Sequence, residues 1–178
     1  MRGAIAFPGT EGSFSQQAAV SFFGEDAAYC AFDSFEAALE AVKREEAAYA
    51  VLPIENSSAG AVAETYDLLL RNSLHIVGEQ VLPVAHHLLA LPGSRMEDIR
   101  EIHSHPQALS QCKRFLSAWP AIVQVPSLNT ALSAKAVAAL NDKTKAAIAG
   151  SYAARLYGLK VLKENIHDNI HNTTRFVV

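Results

Sequence analysis

Cysteine is scarce in this 178-residue chain: Cys30 and Cys112 stand far apart and in no metal-ligand or redox spacing. Such thiols staple nothing, and they point to a reducing compartment and away from secretion. Charge is sparse too, at 19% of residues. With 15 Lys and Arg against 18 Asp and Glu, the formal charge is -3, and no basic block or arginine-aromatic stretch is present to grip nucleic acid. No apolar window approaches the roughly 18 residues of a membrane span. The opening run from Met1 is broken by Pro8 and Gly9, too early for a signal-peptide core. The expectation is a cytoplasmic protein with no nucleic-acid or membrane partner.

What is abundant is hydrophobic residues, half of the chain. A chain of this length buries roughly 70% of the surface that its unfolded form exposes, enough for a core without staples. Short runs rich in Val and Ile alternate with longer stretches of helical period, the pattern of an α/β protein. Strands are predicted at 4–7, 29–32, 49–54, in part of 75–91, and at 99–103, 122–125, 146–149, 159–162 and 175–178. Helices are predicted at 13–23, 34–45, 61–71, 107–118, 130–140 and 152–157. Short polar residues mark their starts: Ser13, Ser34, Ser57 or Ser58, Ser104, Asn129 or Thr130, and Ser151. In an α/β sheet such helix N-termini gather at the carboxyl edge of the strands, where anions are welcome. The stretch 74–91, with Pro83 within it, reads as a crossing into a second subdomain, and the polar segment from His167 to Thr174 as the way back.

Four polar clusters lie at predicted strand ends. Gly9-Thr10-Glu11-Gly12-Ser13 lacks the lysine of a P-loop and the third glycine of a dinucleotide fingerprint, so a nucleotide is not indicated. The loop can offer backbone N–H groups to a carboxylate, with hydroxyls from Thr10 and Ser13, or it can be a plain turn. Glu55-Asn56-Ser57-Ser58 puts four polar side chains in succession after a buried strand. His103-Ser104-His105-Pro106-Gln107 has two histidines at i, i+2, but no H-E-x-x-H or C-x-x-C supplies further zinc ligands, so no metal is expected. Asn172-Thr173-Thr174-Arg175-Phe176 pairs hydroxyls with a guanidinium suited to a carboxylate. No G-x-S-x-G elbow is present, and covalent catalysis has no support. On the residues alone the reading stops at a site for a small anion.

In order along the chain, these clusters resemble the motifs of the prephenate dehydratase catalytic domain. Gly9 to Ser15 resembles the family's G-x-x-G-[ST]-[FY]-S loop, and Pro53 to Ser57 with Gly60 its P-I-E-N-S-x-x-G segment. Ser104 to Leu109 with Gln111-Cys112 resembles S-H-P-Q-A-L-x-Q-C, and Asn172 with Thr174-Arg175-Phe176 resembles N-x-T-R-F. One departure is Asn129-Thr130-Ala131, where the family commonly has Ser-Thr-Ala. No counterpart of the family's usual ACT regulatory domain, with its E-S-R-P motif, occurs in the 178 residues.

The resemblance implies a two-lobed α/β fold like that of type II periplasmic binding proteins, with a ligand cleft between subdomains 1–76 plus 168–178 and 77–167. It implies conversion of prephenate to phenylpyruvate, water and carbon dioxide in L-phenylalanine biosynthesis, without metal or organic cofactor, by a homodimer or larger assembly. Thr174 is then the hydrogen-bond donor to the leaving hydroxyl, with Asn56 and Gln107 beside it in catalysis. Thr10, Ser13, Glu55, Ser57, Ser104, His105, Thr130, Arg175 and Phe176 are expected to hold substrate. Two other readings compete: an arogenate dehydratase and a non-catalytic small-anion binding module.

Overall fold

The structure, a computed structural model, describes residues 3–178. Two α/β units divide the chain, one running to Val84 and resuming at His171–Val178, the other spanning Ala85–Ile170. The first begins with β1 (Ile5–Pro8), α1 (Phe14–Phe23), β2 (Tyr29–Phe32), α2 (Phe35–Lys43) and β3 (Tyr49–Ala50). β1 is the middle strand of this parallel sheet, and all four of its residues are buried. The helices form where their N-termini are satisfied. Ser13 accepts from the Gln16 N–H at α1, and Ser34 from the Ala37 N–H at α2, whose Glu36 and Lys43 also suit the helix dipole. β4 (Leu52–Asn56), β5 (Gly60–Ala61), α3 (Ala63–Arg71) and β6 (Glu79–Pro83) follow.

The second unit comprises β7 (His87–Ala90), a 3-10 turn at Met96–Asp98, β8 (Glu101–Ser104), α4 (Pro106–Gln111), α5 (Lys113–Ser117) and β9 (Val123–Pro126), then α6 (Thr130–Leu140), β10 (Lys145–Ala149), α7 (Ser151–Tyr157) and β11 (Lys160–Lys163). Its sheet runs β11-β7-β10-β8-β9, with β8, β9 and β10 parallel and β7 antiparallel to both its neighbours. Ala146, Ala147, Ile148 and Ala149 of the central β10 are fully buried. Alanine has little strand preference of its own. Burial on both faces of a covered sheet outweighs that preference, and the small side chains let Ala134 and Val137 of α6 pack closely.

The chain then re-enters the first unit as β12 (Thr173–Val177), which inserts antiparallel between β4 and β6 to give the order β5-β4-β12-β6. This insertion decides the site, because it sets Thr174 opposite Asn56.

Several expectations are corrected. The units exchange at Val84 and Ile170, not at residues 76 and 167, because β6 is held by pairing with β12 and belongs to the first unit. The helix predicted over 107–118 is two helices, broken at buried Cys112 (φ -113°, ψ 22°). Asp168 explains the break: its N–H donates to the Gln111 carbonyl at 2.7 Å, and its carboxylate accepts from the Arg114 N–H at 3.3 Å. Residue 61 does not open α3. It pairs back on β4 in a tight hairpin, with Gly60 at φ +84°, so Ser57 and Ser58 cap no helix. Ser151 lies inside α7, and Gly150 is its N-cap.

Candidate active site

The first unit builds its polar centre where β4 ends. Asn56 Oδ1 accepts the backbone N–H groups of Ser58 and Ala59, each at 2.9 Å. Those two donors dictate how the amide is turned, so its nitrogen faces β12. There Nδ2 donates to Thr174 Oγ1 at 2.8 Å and to Asn172 Oδ1 at 3.0 Å, with the Thr173 carbonyl at 3.2 Å. Thr174 is 8% exposed. Accepting this bond uses a lone pair of its hydroxyl and leaves the proton for donation, and a hydroxyl that accepts a hydrogen bond becomes a better donor.

Ser57 staples the turn to the start of β12. Its N–H donates to the Thr173 carbonyl and its Oγ accepts from the Thr173 N–H, both at 2.9 Å, while the hydroxyl donates to the His171 carbonyl at 3.3 Å. Asn172 and Ser58 were not among the expected site residues, yet Ser58 Oγ donates to Asn172 Oδ1 at 3.2 Å beside Asn56. The signal for Asn172 was present in the i, i+2 spacing from Thr174, which puts both on one side of an extended strand.

Other expected residues of this unit go elsewhere. In the Gly9 loop, the Gly9 N–H donates to the Phe32 carbonyl, the Ser13 N–H to the Thr10 carbonyl and the Gly12 N–H to Gln16 Oε1. With Ser13 Oγ accepting from the Gln16 N–H, the loop is a reciprocal cap, which overturns the expectation of an open row of backbone donors at these three residues. Glu55 is exposed, opposite Arg175 in the β4–β12 register. Arg175 lies on the face of β12 away from Thr174, and its Nη2 and Nε stand 2.6 and 2.8 Å from Glu79 Oε2. Its fork is thus matched by a carboxylate of the protein itself and is not brought to the Asn56–Thr174 pair. Phe176 is 2% exposed and packs with Ile5, Ala18, Val51 and Leu82, so the expected substrate contact is corrected to a core role.

In the second unit, Ser104 is fully buried and donates to the Ile148 carbonyl at 2.7 Å, tying β8 to β10. It does not cap α4, and its hydroxyl, expected at the substrate, is spent on the Ile148 carbonyl inside the sheet. His105 is the cap: its Nδ1 accepts the Gln107 N–H at 3.2 Å, which places the ring proton on Nε2. Pro106 takes the first helical position, where no N–H is needed. Thr130 opens α6 behind the Asn129 cap, which accepts from the Leu132 N–H at 2.7 Å. Since β8 and β9 are parallel neighbours, α4 and α6 start at the same sheet edge, and His105, exposed Gln107 and Thr130 gather along it.

Burial pushes the Cys112 thiol up to about 12 and raises that of Cys30 as well, so neither is a thiolate nucleophile near neutrality. Among the described residues no group of three or more His, Cys, Asp or Glu side chains converges as a metal would need, and no helix is long and apolar enough to cross a membrane.

The sequence profile of a family described as prephenate dehydratase matches residues 5–178. The chain belongs to the prephenate dehydratase family. Among its relatives, arogenate dehydratase 1 of Petunia hybrida is 46% identical over 98% of the chain and 41% of its own length. A bifunctional chorismate mutase/prephenate dehydratase of Neisseria gonorrhoeae is 41% identical over 98% of the chain and 48% of its own length. The chain thus spans less than half the length of these two relatives. Among solved structures, the prephenate dehydratase of Arthrobacter aurescens, in complex with L-Phe, superposes with a TM-score of 0.86 at 35% identity, over 98% of this chain and 59% of that one. GqqA, described as a novel type of quorum quenching acylase, gives 0.87 at 36% identity, over 98% of this chain and 62% of that one. The two α/β units are therefore the fold of prephenate dehydratases. A Treponema pallidum lipoprotein, Tp32, shares that fold at 13% identity, with a TM-score of 0.50 over 98% of this chain and 82% of its own.

Proposed function

We propose that the chain carries out the decarboxylating dehydration of prephenate to phenylpyruvate on the route to L-phenylalanine. The ring carboxylate leaves as carbon dioxide, its bonding electron pair enters the ring, and the carbon–oxygen bond at the far ring carbon breaks. The departing hydroxide takes up one proton from solvent and leaves as water. Aromatisation drives the reaction, and the barrier lies in expelling a poor leaving group, which a hydrogen-bond donor lowers as negative charge grows on the oxygen.

The observation that carries this reading is the Asn56–Thr174 pair, in which an oriented amide holds the hydroxyl by its lone pair and leaves the proton to be given. A threonine hydroxyl is too weak an acid to protonate the leaving oxygen outright, so its part is to donate a hydrogen bond. In the second unit, donors at the starts of α4 and α6, namely His105 Nε2, Gln107 and Thr130, are of the kind that suits a carboxylate. The family match and the names of the Neisseria and Arthrobacter relatives support the same reaction.

A second reading, elimination from arogenate, is favoured by the plant relatives, several of which are named arogenate dehydratases at 43–46% identity. Incubating the chain separately with prephenate and arogenate, and following phenylpyruvate and phenylalanine by absorbance and mass spectrometry, decides between them. Product from neither sinks the dehydratase reading and leaves a binding module. We also infer a cytoplasmic homodimer or larger assembly that works without metal or organic cofactor. Light scattering, cell fractionation and turnover in a chelator test these three points.

A further inference from the structure

We infer that Asn172 is a positioning residue for the dehydration, acting through Asn56 on Thr174; the inference rests on the dehydratase reading above. Asn172 is 3% exposed, and its own carbonyl accepts the Val84 N–H at 2.8 Å, so the main chain beneath it is anchored. The Asn56 amide has two hydrogens and faces three acceptors: Thr174 Oγ1 at 2.8 Å, Asn172 Oδ1 at 3.0 Å and the Thr173 carbonyl at 3.2 Å. Asn172 Oδ1 takes one hydrogen, which aims the other at Thr174.

Ser58 braces this arrangement. Its N–H fixes Asn56 Oδ1 at 2.9 Å, and its hydroxyl donates to Asn172 Oδ1 at 3.2 Å, so the two asparagines are tied to the same residue of the turn. Without the Asn172 oxygen, the second Asn56 hydrogen has the Thr173 carbonyl as its near acceptor, and the amide swings along β12 away from the Thr174 lone pair. The hydroxyl then loses both its orientation and the bond that strengthens it as a donor. Asn172 thereby sets the height of the chemical barrier. In this role Asn172 acts through Asn56, so removing its acceptor alone leaves KM nearly unchanged.

Two variants separate this role from a merely structural one. Asn172→Leu keeps the bulk and removes the acceptor, and Asn172→Asp keeps an oxygen where Oδ1 stands. Asn172→Leu is expected to lower kcat roughly tenfold, the worth of about one hydrogen bond, with KM within a factor of about two. Asn172→Asp is expected to recover most of kcat, with KM raised by its charge beside an anionic substrate. The Asn56 side-chain amide resonances, read by NMR without substrate, are expected to shift and exchange faster in Asn172→Leu and to stay protected in Asn172→Asp. If Asn172→Leu does not fold, Asn172→Ser, whose hydroxyl is too short to reach Asn56, replaces it.

Wild-type kcat in the acceptor-free variant, an unmoved Asn56 amide, or equal loss of kcat in the Leu and Asp variants overturns the inference. Failure of the wild-type chain to turn over either prephenate or arogenate overturns instead the reading on which it rests, and the Asn56 resonances then still decide the Asn172 contact.

Discussion

Replacing Thr174 by Val tests the chemistry with the least disturbance, because the two side chains have nearly the same shape. The structural cost is bounded by the hydrogen bonds around it. Removing Oγ1 takes one acceptor from Asn56 Nδ2, which keeps Asn172 Oδ1 at 3.0 Å and the Thr173 carbonyl at 3.2 Å, so no buried donor is stranded. The loss of stability is therefore about 1 kcal/mol. For a chain of this size that is roughly 2–4 °C in Tm. Under the proposed dehydration, the chemical cost is larger. A donor to the leaving oxygen is worth about 10²–10³ in rate, the magnitude of one preorganised donor at a developing oxyanion. A stability change of about 1 kcal/mol accounts for no more than about fivefold, so the two effects separate cleanly. Kinetics and thermal unfolding of the same preparation check both, with Thr174→Ser, which restores the hydroxyl, as the companion. Turnover of Thr174→Val within fivefold of wild type, with unchanged folding, removes Thr174 from the mechanism.

Burial beside the start of β7 holds His86 down from 6.5 to about 4, against the opposing hydrogen bond that its Nε2 donates to Gln111 Oε1, with His167 and His87 adding to the depression. Unfolding therefore takes up a proton between these two pH values. Stability is complete above about pH 6.5, falls as the pH drops, and has lost about 3 kcal/mol by pH 4. Urea unfolding across this range, with the His86 ring protons followed by NMR, checks it; a flat profile with His86 titrating near 6.5 refutes it. Phe176→Ala is expected to cost about 3–5 kcal/mol, as an almost fully buried ring should, measured by the urea midpoint. A loss under 1 kcal/mol would overturn the core role of Phe176. Ser104→Ala is expected to destabilise by about 1–2 kcal/mol through the lost bond to the Ile148 carbonyl, again by urea unfolding. Arg175→Ala is expected to leave the urea midpoint almost unchanged, since its pair with Glu79 is solvent-exposed.

Much of the local structure was legible in the chain. The 2- and 3.6-residue periods place most strands and helices, and the caps at Ser13, Ser34 and Asn129 form as their residue types demand. The spacing of Asn172 and Thr174 already implies that they share a face of a strand. Motif order along the chain points to the family that the comparisons then show.

Tertiary structure decided which polar residues reach a common centre. Asn56 and Thr174 lie 118 residues apart, and nothing local tells either which strand it will border or in what register. Once β12 slots between β4 and β6, the pleat sends Thr174 toward Asn56, Arg175 to the other face and Phe176 into the core; a slip of one residue would reverse all three. Ser104 became a tie to β10, and one predicted helix became two around Asp168, for the same reason. A side chain's period is written in its neighbours. The partner that satisfies its hydrogen bonds arrives from distant chain, and only folding brings it there.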